Sequence, residues 1–256
     1  MLKFLRRRHR SESASLEPGA RRRIDLGDEE PPYIIYAIGD IHGCVDLLLR
    51  AEEQIYDDAA RSGVPALTIL LGDYIDRGPS SRDVLEHLCK PLSGNVKRLA
   101  ICGNHDDLFA RFLKKPKANR DWLDMGGRQT LTSYGLSADA PLDQLTEQLA
   151  EVVPEHHVKF LSNLPVYAKV GHHVFVHAGL RPGIALAQQT EADMMWIREP
   201  FLSQGPQLPL LVVHGHTPSK KPTRGPQRIG IDTGAYVTGR LSILRIVPGE
   251  APDFLH

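Results

Sequence analysis

The segment Ala66-Leu-Thr-Ile-Leu-Leu-Gly-Asp-Tyr-Ile-Asp-Arg-Gly78 sets the architecture expected for this chain. Its first half is a short apolar run that ends at Gly72, which predicts a buried strand. Its second half places the carboxylates of Asp73 and Asp76 and the guanidinium of Arg77 directly after that strand. Buried charged groups are costly unless they are paired or bind a metal, and ligands of α/β sheets bind beyond the carboxyl ends of the strands. We therefore expect a ligand site at the end of this strand.

Four other apolar runs also end in a short polar loop that contains glycine. These loops are Gly39-Asp40-Ile41-His42-Gly43, Gly103-Asn104-His105-Asp106, His177-Ala178-Gly179 and His214-Gly215-His216-Thr217-Pro218. In the first half of the chain the order strand, loop, helix occurs three times, which is typical of parallel βαβ units. The second half is rich in strands without regular helices between them. We therefore expect a second, mixed sheet that packs on the first.

Hydrophobic spacing and glycine or proline breaks predict the positions of the individual elements. Strands are predicted at 33–38, 66–71, 95–102, 166–170, 173–176, 210–213, 228–232 and 241–247. One helix is predicted to end at Gly63, a second to run through Leu88, and residues 107–164 to be mostly helical. His156, His157, His172 and His173 lie in a polar helix and a hairpin turn, and we expect all four to face solvent.

Length and composition restrict the class of protein. The 256 residues are enough for one large α/β domain, and 31 basic residues balance 31 acidic ones, which gives no general argument for nucleic acid or an anionic membrane as a partner. Three cysteines do not form a disulfide framework, and the chain has no apolar run long enough to span a membrane. We expect a cytoplasmic protein. Residues 1–32, with basic clusters at Arg6–Arg8 and Arg21–Arg23, are predicted to be a disordered tail, or alternatively a docking arm, and residues 33–256 the domain that carries the polar loops.

The polar side chains at the strand ends form a set of carboxylates, imidazoles and an amide without a thiolate. The set consists of Asp40, His42, Asp73, Asn104, His177 and His216. Mixed oxygen and nitrogen ligands suit manganese, iron or zinc. Six ligands are too many for one open catalytic metal and fit two metals that share a carboxylate, the arrangement that promotes in-line displacement at phosphorus. Each residue alone could equally cap a turn, but all six together favour a dinuclear site.

Five motifs, GDIHG, GDYIDRG, GNHD, VHAG and GHTP, occur in this order between residues 39 and 218. Together they resemble the calcineurin-like metallophosphoesterase superfamily, in particular the phosphoprotein-phosphatase branch and its bacterial members. The resemblance covers residues 34–247. It implies an α/β fold, a four-layer α/β/β/α sandwich of two mixed β-sheets flanked by helices. It also implies a serine/threonine protein phosphatase with two divalent cations, manganese first and iron or zinc as alternatives, and a metal-bridging hydroxide as nucleophile.

The resemblance also implies a role for each matching residue. Six would bind the metals: Asp40 and His42 the first, Asp73 both, and Asn104, His177 and His216 the second. His105 would be the general acid that protonates the leaving alkoxide, and Asp76 would orient it. Arg77, Arg198 and Asn104 would bind the phosphate oxygens of the substrate. His214 is interpreted as a supporting or structural residue rather than a ligand.

Two departures from the protein-phosphatase pattern bear on the substrate. Cys102 stands where those enzymes usually have arginine before the GNH motif, and Asp106 stands where many have glutamate. At both positions the chain resembles the dinucleoside polyphosphate hydrolases, which share the same metal core. The alternative substrate is therefore a dinucleotide or another small phosphoester instead of a phosphorylated protein or peptide. A more remote alternative, a non-catalytic interaction module that binds metal, would be expected to lose the acid, yet His105 and Asp76 are both present.

Overall fold

The computed structural model describes residues 20–92 and 94–255. Its strands are β1 (Arg23–Asp25), β2 (Ile34–Ile38), β3 (Ala66–Leu70), β4 (Val96–Ala100), β5 (Tyr167–Val170), β6 (His173–Val176), β7 (Leu211–His214), β8 (Thr223–Gly225), β9 (Arg228–Gly230), β10 (Ile243–Ile246) and β11 (Asp253–Phe254). Its α-helices are α1 (Val45–Ser62), α2 (Ser81–Leu88), α3 (Asn104–Lys114), α4 (Gly127–Ser133), α5 (Leu142–Val152), α6 (Glu155–Asn163), α7 (Glu191–Trp196), α8 (Phe201–Gln204) and α9 (Ala235–Thr238). Two 3₁₀ segments span Pro116–Met125 and Leu186–Gln188.

The strands form two mixed sheets. The five-stranded sheet has the order β11-β10-β2-β3-β4, and the six-stranded sheet has the order β1-β5-β6-β7-β9-β8. Strands β2, β3 and β4 are mutually parallel, as the repeated strand–loop–helix order predicted. Strands β5 and β6 form the predicted hairpin, and β6 is parallel to β7. The predicted α/β/β/α arrangement, two mixed sheets flanked by helices, is confirmed.

Alternation along β2 shows how the layers are held together. Ile35 and Ala37 belong to a buried cluster with residues of the other sheet such as Phe175, while Ile34 and Tyr36 belong to the cluster that includes helix α1. Successive side chains of a strand point to opposite faces. Both faces of β2 are therefore buried, which explains why its sequence is a continuous apolar run.

The structure differs from the predicted disordered tail over residues 20–32. Strand β1 pairs in parallel with β5 at the edge of the six-stranded sheet. Arg21 is anchored as well, because its guanidinium donates to Asp107 and to the main-chain oxygens of Leu161 and Leu164. Strand pairing and this ion pair offset the ordering entropy of a segment whose polar composition alone favours disorder. The first basic cluster, Arg6–Arg8, lies outside the described residues.

The prediction that four histidines face solvent was correct for two of them and wrong for the other two. His156 and His172 are exposed, whereas His157 and His173 are buried. His157 faces Tyr134, whose hydroxyl lies 2.7 Å from His157 Nδ1, and polar partners of this kind make the burial of an imidazole tolerable.

Among the described residues, no helix is both long enough and apolar enough to cross a membrane.

Candidate metal centre

The five polar loops meet where the parallel strands of the two sheets end. Within the first sheet, the carbonyl of Asp73 accepts the main-chain N–H groups of Ile41 and His42, at 3.1 and 2.8 Å. Between the loops of the second sheet, the N–H of Gly215 donates to the carbonyl of His177 at 2.8 Å. Gly72 shows how tightly the loops pack, because a Cβ at this position would lie 2.3 Å from the nitrogen of Gly103. The glycines therefore permit the close approach that brings the polar residues together.

Backbone strain is concentrated in these loops. Seven non-glycine residues with positive φ occur in the described part of the chain, and five of them are predicted site residues: His42 (45°), Asp73 (51°), Asp76 (72°), Arg77 (67°) and His216 (64°). Such conformations cost free energy and persist where the surrounding structure imposes them, often at functional sites. The loops are thus held in a shape that local propensity alone would not select.

Asp73 lies between two groups of imidazoles. Its Oδ2 is 3.5 Å from His42 Nε2 and 3.9 Å from His105 Nε2, whereas its Oδ1 is 3.4 Å from His177 Nε2. Potential ligand atoms of Asp73, His42 and His105 lie within 4.8 Å of one another, as do those of Asp73, His177 and His216. One carboxylate therefore offers a different oxygen to each group, which is the arrangement required of a bridging ligand.

The hydrogen bonds of His42 and His177 direct their Nε2 atoms toward Asp73. His42 Nδ1 lies 2.8 Å from the carbonyl of Ile75, and His177 Nδ1 lies 2.8 Å from the carbonyl of Leu71. A carbonyl can only accept, so each ring carries its proton on Nδ1 and presents a lone pair on Nε2. Histidine ligands of metals are commonly oriented by such a bond from the other ring nitrogen.

Two features of this cluster fit a cation. His42 Nε2 is buried and has no hydrogen-bond partner among the described residues, and burial lowers the pKa of His42 to about 3, so its ring is neutral. Asn104 Oδ1 lies 2.8 Å from His177 Nε2, so that two acceptors face each other, and 3.0 Å from His216 Nδ1. Buried polar atoms without partners are costly. A divalent ion beside these lone pairs would remove the cost.

Asp40 is not part of either group. Its carboxylate accepts the main-chain N–H of His216, at 3.0 and 3.2 Å. Burial together with the charges of Asp232 and Asp73 raises the pKa of Asp40 well above its ordinary value. The assignment of Asp40 beside His42 stays a prediction, whereas His105 takes the third position in that group. The repulsion among buried carboxylates is a further reason why the cluster fits a cation.

His105 and Asp76 form a buried pair, as the sequence predicted. His105 Nδ1 lies 2.7 Å from Asp76 Oδ2. Burial opposes the charged form of His105, but the charge of Asp73 and the bond to Asp76 outweigh it, and the pKa of His105 is raised. Arg77 Nη2 lies 2.9 Å from His105 Nε2 and must be the donor of that bond. The ring therefore holds a proton on Nδ1 and turns Nε2 toward Arg77.

Asp76 is held by residues whose function the sequence did not reveal. Trp122 Nε1 donates to Asp76 Oδ2 at 2.8 Å, and the hydroxyl of Thr130 donates to Oδ1 at 2.6 Å. Trp122 is also a fully buried core residue. Asp106 is a second such case, because its carboxylate accepts the main-chain N–H groups of Gly103, Asp73 and Tyr74 and so fixes two of the loops. No periodicity or motif spacing signals contacts of this kind.

Both predicted phosphate-binding arginines lie at the rim of the cluster. The guanidinium of Arg77 lies 5.2 Å from the ring centre of Tyr236, and Arg198 is exposed. Burial lowers the pKa of His216 to about 3, and the charge of Arg198 acts in the same direction.

His214 and Cys102 face other neighbours. His214 Nδ1 lies 3.1 Å from the carbonyl of Gly215 and its Nε2 3.4 Å from Arg228. This agrees with a structural role. The thiol of Cys102 is buried and donates to the carbonyl of Gly103.

Two solved structures share the fold of this chain. A proposed diadenosine tetraphosphatase has a TM-score of 0.62 at 21% identity, covering 92% of this chain and 97% of its own. The cold-active protein-tyrosine phosphatase of a Shewanella species has a TM-score of 0.54 at 14% identity, covering 94% and 85%. At these identities the similarity concerns the fold alone.

Two curated relatives of this chain carry the same name. Proteins named bis(5'-nucleosyl)-tetraphosphatase PrpE [asymmetrical] are 27% identical over 231 residues in Anoxybacillus flavithermus and 27% identical over 233 residues in Bacillus subtilis. Each match covers 81% of this chain and 88% of the relative. The model of the calcineurin-like phosphoesterase family matches residues 33–245. This match includes all five polar loops and strands β2 to β9, and the chain therefore belongs to the calcineurin-like phosphoesterase family.

Proposed function

We propose that this protein is a metal-dependent hydrolase of dinucleoside polyphosphates. The assignment as a hydrolase depends on the position of Asp73 between two groups of imidazoles, in which the Nε2 atoms of His42 and His177 face its two carboxylate oxygens. The names of the relatives support the dinucleotide substrate. They favour a dinucleotide substrate, the alternative predicted from the sequence, over the first prediction, a serine/threonine protein phosphatase.

Two divalent cations, manganese first among the candidates, would be held by the predicted ligands: Asp40, His42, Asp73, Asn104, His177 and His216. Bound there, they would lower the pKa of a water molecule and offset the charge of the phosphates. The imidazoles of His42 and His216 are neutral and need not lose a proton before they bind a metal, since burial lowers the pKa of both to about 3. Binding would therefore be only weakly opposed by protons near neutral pH.

His105 and Arg77 would act on the substrate from the open side of the cluster. Water adds to phosphorus as the bond to the leaving oxygen breaks. The leaving oxygen takes the proton of His105 Nε2, and the proton that the water loses passes to solvent, from which His105 can be protonated again. Before the transfer the His105 ring carries a proton on both nitrogens, and Asp76 stabilises this cationic form. Arg77 donates to the same Nε2 in the structure, so it must turn toward the phosphate when that nitrogen carries a proton. The planar guanidinium suits the phosphoryl oxygens.

The surroundings of the cluster offer binding surfaces for bases. Trp196 is 41% exposed with its ring centre 6.1 Å from that of His216, and Tyr236 is 39% exposed with its ring centre 5.3 Å from that of His42. Beside Tyr236 and Arg77 lies an open groove of about 420 Å³, which Met125 and Arg128 also line. Two exposed aromatic rings on opposite histidine groups match a substrate with a base at each end of a polyphosphate.

The distinguishing experiment uses purified protein with Mn²⁺ and compares diadenosine tetraphosphate with a phosphoserine peptide. Asymmetrical cleavage, the mode named for the relatives, would give a nucleoside triphosphate and a nucleoside monophosphate. We expect these products in equal amounts and at least tenfold lower kcat/KM on the peptide. Release of inorganic phosphate from the peptide as the faster reaction would overturn the substrate assignment.

The aromatic surfaces can be tested separately. Base stacking on an aromatic side chain contributes about 1–3 kcal/mol, so Trp196→Ala and Tyr236→Ala should each raise KM for the dinucleotide about 5- to 100-fold. Hydrolysis of p-nitrophenyl phosphate should change little, because this substrate has no nucleobase. Leu49→Ala is a matched control, since Leu49 is 44% exposed on helix α1.

A further inference from the structure

A second group of metal-binding side chains lies between the end of helix α2 and the start of helix α6. Cys89 is the residue that caps the carboxyl end of α2, and His156 and His157 lie in the first turn of α6. The sulfur of Cys89 and one ring nitrogen of each histidine all lie within 4.8 Å of one another. Glu86, on the last turn of α2, completes the group.

Glu86 brings a fourth ligand atom to the two imidazoles. Its Oε2 lies 2.8 Å from His156 Nε2 and 3.2 Å from His157 Nε2. A tetrahedral zinc ion with bonds of about 2.0–2.3 Å separates its ligand atoms by roughly 3.3–3.7 Å. Glu86 and the two imidazoles are therefore close to the required spacing, and the side chains of His156 and Glu86, which are half exposed, can move by the remaining amount.

His157 is the fully buried member of the group, and a contact at its other ring nitrogen orients the ring. The side chain of His157 is fully buried, and its Nδ1 lies 2.7 Å from the hydroxyl of Tyr134. A bond of this kind to the other ring nitrogen is the usual means of orienting a histidine ligand. Lys90 contacts the second oxygen of Glu86 at 3.3 Å, which leaves the first oxygen facing the imidazoles.

We propose that Cys89, His156, His157 and Glu86 form a second metal site, selective for zinc or a similar transition metal ion. One thiolate, two imidazoles and one carboxylate suit zinc and cobalt, while magnesium and calcium prefer oxygen ligands alone. The thiolate distinguishes this site from the catalytic cluster, whose candidate ligands are oxygen and nitrogen atoms. A bound ion would join α2 to α6. Helix α2 begins at Ser81, whose hydroxyl accepts the N–H of Asp76, so the ion would stabilise an element that supports the catalytic loop.

Cobalt absorption separates the two kinds of site. Purified protein, stripped of metal and reduced, is titrated with Co²⁺, because a cysteine thiolate bound to cobalt gives a charge-transfer band in the near ultraviolet that imidazole and carboxylate ligands do not give. We expect this band to saturate at one equivalent per chain. Cys89→Ser and His156→Asn should each abolish it, and neither change affects a buried side chain. Cys44→Ser is the control, because Cys44 lies beside the catalytic loop and should not contribute.

The site can also be counted by elemental analysis after incubation with zinc. A protein with Asp73→Asn, which weakens the catalytic cluster, should still retain one zinc ion, and adding Cys89→Ser should remove it. Absence of the cobalt band in the unaltered protein, its survival in Cys89→Ser or His156→Asn, or its loss in Cys44→Ser would overturn the proposal.

Discussion

Replacing Trp122 with phenylalanine tests whether the indole N–H positions the buried pair of His105 and Asp76. Trp122 is fully buried, and its ring stacks on Phe109 with ring centres 4.8 Å apart. Its Nε1 donates to the same oxygen of Asp76 that faces His105 Nδ1. The substitution keeps most of the aromatic packing and removes this single donor.

The expected magnitude follows from the charge and burial of the acceptor. A hydrogen bond to a charged group contributes about 1.5–3 kcal/mol, and the lost ring atoms add a small cavity cost. We expect Trp122→Phe to lower the free energy of unfolding by about 3 kcal/mol, measured by urea denaturation at pH 7.

The same change should alter the pH dependence of catalysis. Burial raises the pKa of Asp76, and its bonds to His105, Thr130 and Trp122 lower it. Loss of one donor to the ionised form therefore raises the pKa of Asp76 further. Protonated Asp76 can no longer support His105, so the acidic limb of kcat/KM should move to higher pH.

The assay is kcat/KM for diadenosine tetraphosphate with Mn²⁺ from pH 5 to pH 9. Phe112→Leu is the matched control, because the ring of Phe112 lies 4.6 Å from that of Trp122 in the same buried cluster and Phe112 makes no bond to Asp76. Phe112→Leu should lower the free energy of unfolding but leave the acidic limb of kcat/KM where it is in the unaltered protein. If Trp122→Phe also leaves this limb in place, the indole has no positioning role and is a core residue only.

Three further outcomes are expected. His105→Asn should lower kcat about 10²–10⁴-fold on a phosphoester with a poor leaving group while the protein keeps its metal; loss of one metal ion would instead show that His105 is a ligand. Asp73→Asn should reduce the metal content by elemental analysis, because the carboxylate faces both imidazole groups, and full occupancy would contradict a bridging role. Glu52 is buried against His87 and Arg98; burial opposes its ionisation, yet these bonds lower its pKa. Its contribution to stability is therefore complete above the ordinary glutamate pKa of about 4.3 and is lost as the pH falls through the lower folded value. Glu52→Gln should cost about 3 kcal/mol at pH 7 and weaken the acid dependence of unfolding by urea, and an unaltered dependence would count against the pair.

Much of the fold could be predicted because it rests on local patterns. The run from Ala66 to Leu70 is apolar on both faces, and such runs form strands that are covered on both sides. The strand order within each sheet could not be read in the same way, since pairing joins distant residues. Strand β1 is an example: its polar sequence resembles a tail, and only its pairing with β5 makes it part of the sheet.

The amino-acid sequence by itself determined which side chains gather at the strand ends, because parallel strands place their following loops at one edge and the motifs record the residue types. Only the tertiary structure decided how these side chains are oriented. The Nδ1 contacts of His42 and His177 with main-chain carbonyls, the bond from Trp122 to Asp76, and the meeting of Cys89 with His156 across two helices join residues far apart in the chain. No local pattern encodes such contacts, because they depend on how whole elements pack.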